Sequence, residues 1–434
     1  MSPSAPAAVR LRLRARIPLV WLGLLLLIAI LLPHRLWNMM LIGLGGLFLV
    51  AYIWARSLAN HLSAERRLRY GWVGVGDRLL EEFQLHNDGH LPAIWVEILD
   101  ESNVPGYQAA VVRSISSGQI RWQQEAICQQ RGQFHLGPWG LVSADPFGIF
   151  EVRHWYPVAD EIIIHPPIDS TLPIPLPAGR SSGRVRAPER AIQATINAAA
   201  IRDYQSGDPL RWIHWPSSAR RQKLFVREFD LDASGDIWLL LDLEATAQLG
   251  LGSESTVEYG VLLAASLAAR AVRANRAVGL AAFGAEPQLL PPARGMGQQW
   301  RLLRALALVQ GDGQISLSRA LADLARQASR GSAAVIITAQ TDLVWLPDLL
   351  RLLQSGVQCN LVLLDRPSFG GAGDSTAAIN HLYALGVEAN LVQQGELQRA
   401  PAERERRGFW EFRTTATGRV IVVNRPVDEA RSAP

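Results

Sequence analysis

The chain has 434 residues, 49% hydrophobic and 19% charged, too many for one ordinary core and too apolar for a disordered chain. Its net charge of +4 is unevenly placed: residues 1–70 hold nine arginines against one acid, Glu65, a balance of +8, so the remainder carries −4. A basic flank of this kind gives no support for nucleic-acid binding, and the two distant cysteines, Cys128 and Cys359, make neither metal-ligand spacing nor a disulfide framework, which fits a reducing compartment.

Residues 1–16 are a basic N-terminus and residues 17–55 a transmembrane helical hairpin. Ile17 to Leu32 is an unbroken apolar run ended by Pro33, and Leu36 to Trp54 is a second run interrupted only by Asn38. At helical rise each spans about 25–30 Å, close to the hydrocarbon thickness. The link Pro33-His34-Arg35 is so short that the spans must be antiparallel. Gly43, Gly45 and Gly46 predict a close approach of the two backbones, and Trp21, Trp37 and Trp54 fall near the ends, where indole prefers to lie. Arg10, Arg12, Arg14 and Arg16 precede the first span, Arg56, Arg66, Arg67 and Arg69 follow the second, and one arginine lies between. The positive-inside rule then places both termini in the cytoplasm, giving a two-span protein of the cell membrane whose first partner is the lipid bilayer. A cleaved signal peptide is the alternative, opposed by the second span and by a poor cleavage site at Pro33-His34-Arg35.

Residues 60–165 shift toward a period of two. Ile94–Leu99 and Glu161–Ile164 read as strands, separated by turn signals such as Asn87-Asp88-Gly89, Pro105-Gly106 and Gly137-Pro138. Short strands at roughly ten-residue spacing predict an antiparallel β-sandwich of immunoglobulin-like size. Asp145, Pro146, Phe147 and Gly148 form a turn whose carboxylate, fixed φ and glycine each have a local role, so a structural corner is the favoured reading. Residues 166–200, rich in Pro, Gly and Arg, read as a linker.

Residues 201–234 carry the densest charged and aromatic stretch. Arg202, Arg211, Arg220, Arg221, Lys223 and Arg227 interleave with Asp203, Asp208, Glu228 and Asp230, with Trp212 and Trp215 as surfaces for guanidinium stacking. Three readings stand: an ion-pair latch between the sandwich and the next domain, a docking surface for an acidic partner protein, and a phosphate site, the last opposed by the lack of a glycine-rich loop opening a helix. His214 has no Ser, Cys or metal-ligand companion at useful spacing, so it is assigned to packing or hydrogen bonding. This stretch resembles the signature of the family called domain of unknown function 58. The matching residues are Arg202, Tyr204, Gly207, Asp208, Arg211, Ile213, Trp215, Ser218, Ala219, Arg220, Leu224, Val226, Arg227 and Glu228. The Asp145–Gly148 turn, preceded by Arg131–Pro138, resembles the family's upstream hallmark.

Residues 235–395 alternate strand and helix patterns, from the strand Ile237–Leu241 and the helix Ser255–Asn275 to the strand Val387–Val392. The order predicts a doubly wound α/β domain with its functional ends at the C-termini of the strands. The resemblance implies a von Willebrand A-like fold, which places a divalent cation where the first strand ends in Asp242-Leu243-Glu244-Ala245-Thr246. Asp242 and Thr246 are the two oxygen donors there, but Glu244 stands where a serine is expected and Ala339 where an acid is expected, so a degenerate site without a cofactor leads. Residues 396–434 read as a terminal hairpin and tail.

The chain contains no Ser-His-Asp set, zinc spacing or phosphate loop. It is therefore expected to be a non-enzymatic, membrane-tethered adaptor that engages a cytoplasmic protein. The resemblance implies a MoxR-type AAA+ ATPase as that protein. An envelope scaffold without an ATPase is the alternative, and a hydrolase is disfavoured.

Overall fold

The computed structural model describes residues 8–69, 73–107, 111–177, 198–204, 213–229 and 235–397, together with four short strand segments between 406 and 428. Of residues 69, 198–203, 227–229 and those C-terminal segments only the backbone is described. The chain divides into two units, residues 1–167 with 399–434, and residues 168–398, each with its own core.

In the first unit, Ala8–Leu13 (β1) precedes two helices, Ile17–Leu31 (α1) and Arg35–His61 (α2), and then ten strands: Leu62–Arg69 (β2), Val73–Gly74 (β3), Arg78–Asn87 (β4), Ala93–Asp100 (β5), Val112–Ile115 (β6), Gly118–Ile127 (β7), Gly132–Leu136 (β8), Trp139–Ala144 (β9), Phe150–Tyr156 (β10) and Asp160–His165 (β11). They form sheets ordered β1-β10-β9-β5-β6, β2-β4-β7 and β3-β11-β8, antiparallel except for the short β3–β11 pair. The residues expected to be a basic tail thus include an edge strand, in register with β10 from Ala8 opposite Trp155 to Leu13 opposite Phe150. Alternation in AVRLRL suits a strand, a pattern that the high arginine content hides.

Among the described residues one helix, α2, is long and apolar enough to cross a membrane; α1 is apolar but only 15 residues long. The helix α2 overruns its expected end at residue 55 and reaches His61. Ala51, Ala55 and Leu58, spaced to share one helical face, are buried and lead into a core that also holds Leu141, Val152 and Tyr156. Trp54, expected at a membrane interface, instead donates its indole N–H to the carbonyl of Pro92 at 2.9 Å. A Cβ added at Gly43, Gly45 or Gly46 would meet nothing within 4 Å, so these glycines do not mediate the close helix contact expected of them.

Arg66 also departs from expectation. Its side chain, 4% exposed, lies 2.7 Å from Glu81 and 3.0 Å from Asp100, and the Tyr107 hydroxyl donates to Glu81. Burial pushes the Glu81 carboxyl up while Arg66 pulls it down. An arginine counted in the membrane flank is thus an interior charge, spent on two carboxylates.

The second unit is built on a six-stranded mixed sheet. The hairpin strands Ala198–Asp203 (β12) and Phe225–Phe229 (β13) flank the helix Trp215–Arg221 (α3); then come Ile237–Leu241 (β14), Thr256–Arg273 (α4), Val278–Phe283 (β15), Pro287–Ala293 (β16), Met296–Leu308 (α5), Leu317–Gln327 (α6), Ala333–Thr338 (β17), Leu346–Gln354 (α7), Gln358–Leu364 (β18), Ser375–Ala384 (α8) and Glu388–Val392 (β19). The sheet order is β16-β15-β14-β17-β18-β19, parallel except for the edge strand β16. Leu239 and Leu241 face the layer of α4 and α5, while Trp238 and Leu240 face that of α6, α7 and α8. A strand covered on both faces must be apolar throughout, which is why β14 reads Ile-Trp-Leu-Leu-Leu. The strand β16 carries no clear strand pattern in the sequence because it lies half-exposed at the edge and contains Pro291 and Pro292.

The expected linker, residues 166–200, is in part a docked segment. Leu172 and Ile174 are buried in the α/β core, and the guanidinium of Arg270 donates to both their carbonyls. A proline-rich extended chain leaves its carbonyls unpaired, and arginine on a neighbouring helix satisfies them. In the C-terminal segment Glu411–Thr414 pairs antiparallel with Val420–Asn424.

Candidate functional site

The signature stretch folds as a helix held between two strands. Strands β12 and β13 pair with Ile201 opposite Arg227 and Asp203 opposite Phe225. Within the loop between them, His214 N–H donates to the Phe225 carbonyl at 2.8 Å, and His214 Nδ1 lies 2.8 Å from Ser217 Oγ, capping α3. Ser218 is buried; it accepts from Phe225 N–H at 2.9 Å and donates to the His214 carbonyl at 3.0 Å. Pro216 at the start of α3 and Gln222 in the left-handed region after it set both ends of the helix. His214 thus has the hydrogen-bonding role expected of it.

This scaffold leaves a distinct outer face. Trp215 is 65% exposed and Leu224 44%, and Arg220, Arg221 and Lys223 are exposed with them. The Arg221 guanidinium lies over the Phe225 ring at 5.5 Å. Tyr204 is half-buried, its N–H bonded to the Leu224 carbonyl. Gly207, Asp208 and Arg211 lie outside the described residues, as do the side chains of Arg202, Arg227 and Glu228, on which the latch reading rests.

A second constellation sits where β14 and β17 end. The chain order runs one way from β14 to β15 and the other way to β17, so their C-terminal ends flank a topological switch point. Asp242 is buried there. Its Oδ1 accepts from Glu244 N–H at 3.1 Å, and its Oδ2 from Thr338 Oγ1 at 2.6 Å and Gln340 Nε2 at 3.1 Å. Gln340 Nε2 also reaches Glu244 Oε2 at 2.8 Å, and Thr246 Oγ1 donates to Glu244 Oε1 at 3.0 Å. Arg366 braces the neighbouring loops through the carbonyls of Ala247 and Ala339. Burial pushes the Asp242 carboxyl up to about 6, opposed by the bond from Thr338.

These residues do not fit a divalent cation. Thr246 turns to Glu244 and not toward Asp242, both Asp242 oxygens are occupied by donors, and the amide of Gln340 bridges the two carboxylates. A hard cation needs about six oxygen donors, and no cluster of three or more His, Cys, Asp or Glu able to hold a metal occurs among the described residues. The strand-end hydrogen bonds join Asp242 to Glu244, Thr338 and Gln340, while Thr246 bonds to Glu244. Gln340 was legible only through strand adjacency, since β14 and β17 pair with Leu241 opposite Ile337.

The family described as "Protein of unknown function DUF58" matches residues 200–365, which takes in both the hairpin and the strand-end cluster. Residues 200–365 are a DUF58 domain. The uncharacterized protein YeaD of Bacillus subtilis (strain 168) is 30% identical over 160 residues, 37% of this chain and 37% of that protein. The uncharacterized protein Mb1516 of Mycobacterium bovis (strain ATCC BAA-935 / AF2122/97) is 30% identical over 143 residues, 31% of this chain and 44% of that protein. The chain thus spans less than half the length of these relatives. Among solved structures, the conserved hypothetical protein BatB from Bacteroides thetaiotaomicron aligns over 37% of this chain and 92% of its own, at 14% identity and a TM-score of 0.28. Within the DUF58 domain, Ser218 and His214 serve the scaffold, whereas Trp215 and Arg220 are presented outward.

Proposed function

We propose that this chain is a membrane-tethered, non-enzymatic adaptor whose DUF58 domain, read as von Willebrand A-like, docks a cytoplasmic protein through the outer face of α3. The observation that carries the reading is the contrast inside one short helix. Ser218 is buried and bonded to Phe225 of β13 and to His214, while Trp215, Arg220 and Arg221 remain exposed. An exposed tryptophan beside arginines has the composition of a protein-binding hot spot. The family resemblance supports a MoxR-type AAA+ ATPase as the partner.

The tether in this reading is a two-span hairpin with both flanks on the cytoplasmic side. Its support is that β1, which precedes α1, pairs with β10 in the same unit that holds β2, the strand directly after α2. In this reading the outer ends of both helices return to the same side. Co-purification from membranes tests the adaptor: an AAA+ ATPase retained by the full chain is the expected result, and its absence under gentle solubilisation contradicts it.

A further inference from the structure

The Asp145-Pro146-Phe147-Gly148 turn joins β9 to β10, and its conformation is complete without Phe147. Asp145 accepts from Phe147 N–H at 2.8 Å and from Phe150 N–H at 2.5 Å, and Gly148, at φ +68°, donates to the Asp145 carbonyl at 3.1 Å. The Phe147 ring is left 50% exposed at the tip, with Pro146 exposed beside it. A turn needs no aromatic there, and exposing one to water costs free energy unless something covers it.

The position of this tip is fixed by the helices. Arg14 N–H and Ala15 N–H both donate to the Ile149 carbonyl, at 2.8 and 3.3 Å, and α1 begins two residues later at Ile17. On the other helix, Phe48 and Tyr52 pack edge-on against Phe150, with centroids 6.4 and 5.7 Å apart. Those residues sit where α2 changes from exposed to buried at Ala51. The turn therefore lies at the level where both apolar helices leave the sandwich. The helix α1 has 15 residues, about 22 Å at helical rise, against a hydrocarbon core of about 30 Å. The stretch of α2 before Ala51 is of similar length. A span as short as α1 is met by local thinning of the bilayer and by flanking residues reaching the interface, which keeps the attached end of the domain close to the headgroups. Arg16 and Arg14, the latter 3.9 Å from Glu151, are exposed just before α1 and add charge that anionic headgroups attract.

We propose that the Asp145–Gly148 turn is a membrane-interface anchor, with Phe147 and Pro146 seated among the lipid headgroups and upper acyl chains beside the start of α1. This rests on the two-span reading and adds to it a third membrane contact, made by the β-sandwich itself. It gives the exposed Phe147 a role beyond that of a corner and fixes the tilt of the sandwich on its tether.

The test uses the full chain, one copy per nanodisc of mixed zwitterionic and anionic lipid, with a nitroxide attached at Phe147→Cys. Burial pushes the native thiols of Cys128 and Cys359 up to about 12, which keeps them from competing for the label. Controls carry the label at Leu24→Cys, in α1, and at Val158→Cys, an exposed site beyond the far end of β10. Pro146→Cys serves as a second probe of the turn should Phe147→Cys not fold. The expected result is that the turn label, like Leu24→Cys, meets oxygen dissolved in lipid several-fold more readily than a water-soluble nickel complex, with Val158→Cys showing the reverse. A turn label that matches Val158→Cys while Leu24→Cys still reports lipid overturns the anchor and leaves the hairpin intact. A water-accessible Leu24→Cys overturns the two-span reading itself. A turn label shielded from both reagents shows protein covering it and also overturns the anchor.

Discussion

Each unit buries a carboxylate that shares its donor with a second carboxylate, and the two hold it in opposite ways. In the first, Glu81 and Asp100 share Arg66, so two interior negative charges are met by one interior positive charge and a tyrosine hydroxyl. In the second, Asp242 and Glu244 share Gln340, a neutral amide, with Thr338 as the further donor. A formal cation makes its site intolerant of losing that cation. Burial raises the Asp242 carboxyl to about 6 against the pull of its neutral donors, and burial raises Glu81 as well, against the pull of Arg66. The first arrangement is a structural pin built on a formal cation, and the second is a strand end held by neutral donors alone.

The largest effect should come from the pin. Arg66→Ala strands Glu81 and Asp100 in the sandwich core, and loss of one partner of a buried ion pair costs about 3–5 kcal/mol. Chemical denaturation should show the sandwich transition moving by that amount, and a loss below about 1 kcal/mol, the range of exposed pairs, would erase the contrast between the two sites.

Next is the pH dependence of the second site. The folded pKa of Asp242, about 6, lies above its unfolded value near 4, so the folded state holds the proton more tightly. Asp242 therefore costs nothing below about pH 4, destabilises progressively as pH rises to about 6, and costs at most about 3 kcal/mol above that. Unfolding free energies at pH 4.5 and 7.5 should differ less in Asp242→Asn than in the wild-type chain. Equal differences in the two proteins would mean that the carboxyl is already ionised at the lower pH.

A smaller loss is expected at Ser218, whose hydroxyl accepts from the Phe225 N–H. Ser218→Ala leaves that donor unpaired, at about 1–3 kcal/mol, and should lower the melting temperature of the DUF58 domain by several degrees. An unchanged melting temperature would show that the hairpin is not pinned through this residue.

These contrasts were only partly open to sequence reasoning. The parallel strands were legible because burial on both faces writes an unbroken apolar run, as in Ile237–Leu241. The outward face of α3 was legible from the small residues Ser217, Ser218 and Ala219 preceding Arg220. What sequence hides is partnership across distance. Arg66 looks like one more flanking arginine until β2 pairs with β4 and brings Glu81 against it. Gln340 looks like a loop residue until β14 and β17 lie side by side. Residues 168–177 look like a linker because their partner, Arg270, lies on a helix almost a hundred residues downstream.

The smallest expected change in stability is also the one with the most functional content. Arg220 is exposed on α3, so its removal should cost about 0–1 kcal/mol of stability. As part of a docking face it should cost far more in binding. The direct measurement is capture of the proposed AAA+ ATPase partner from solubilised membranes by the full chain carrying Arg220→Ala and Trp215→Ala, set beside the melting curve of the same protein. The adaptor account predicts an unchanged melting temperature with partner capture lost. Capture at the wild-type level by a folded variant would contradict it and move the docking surface away from α3.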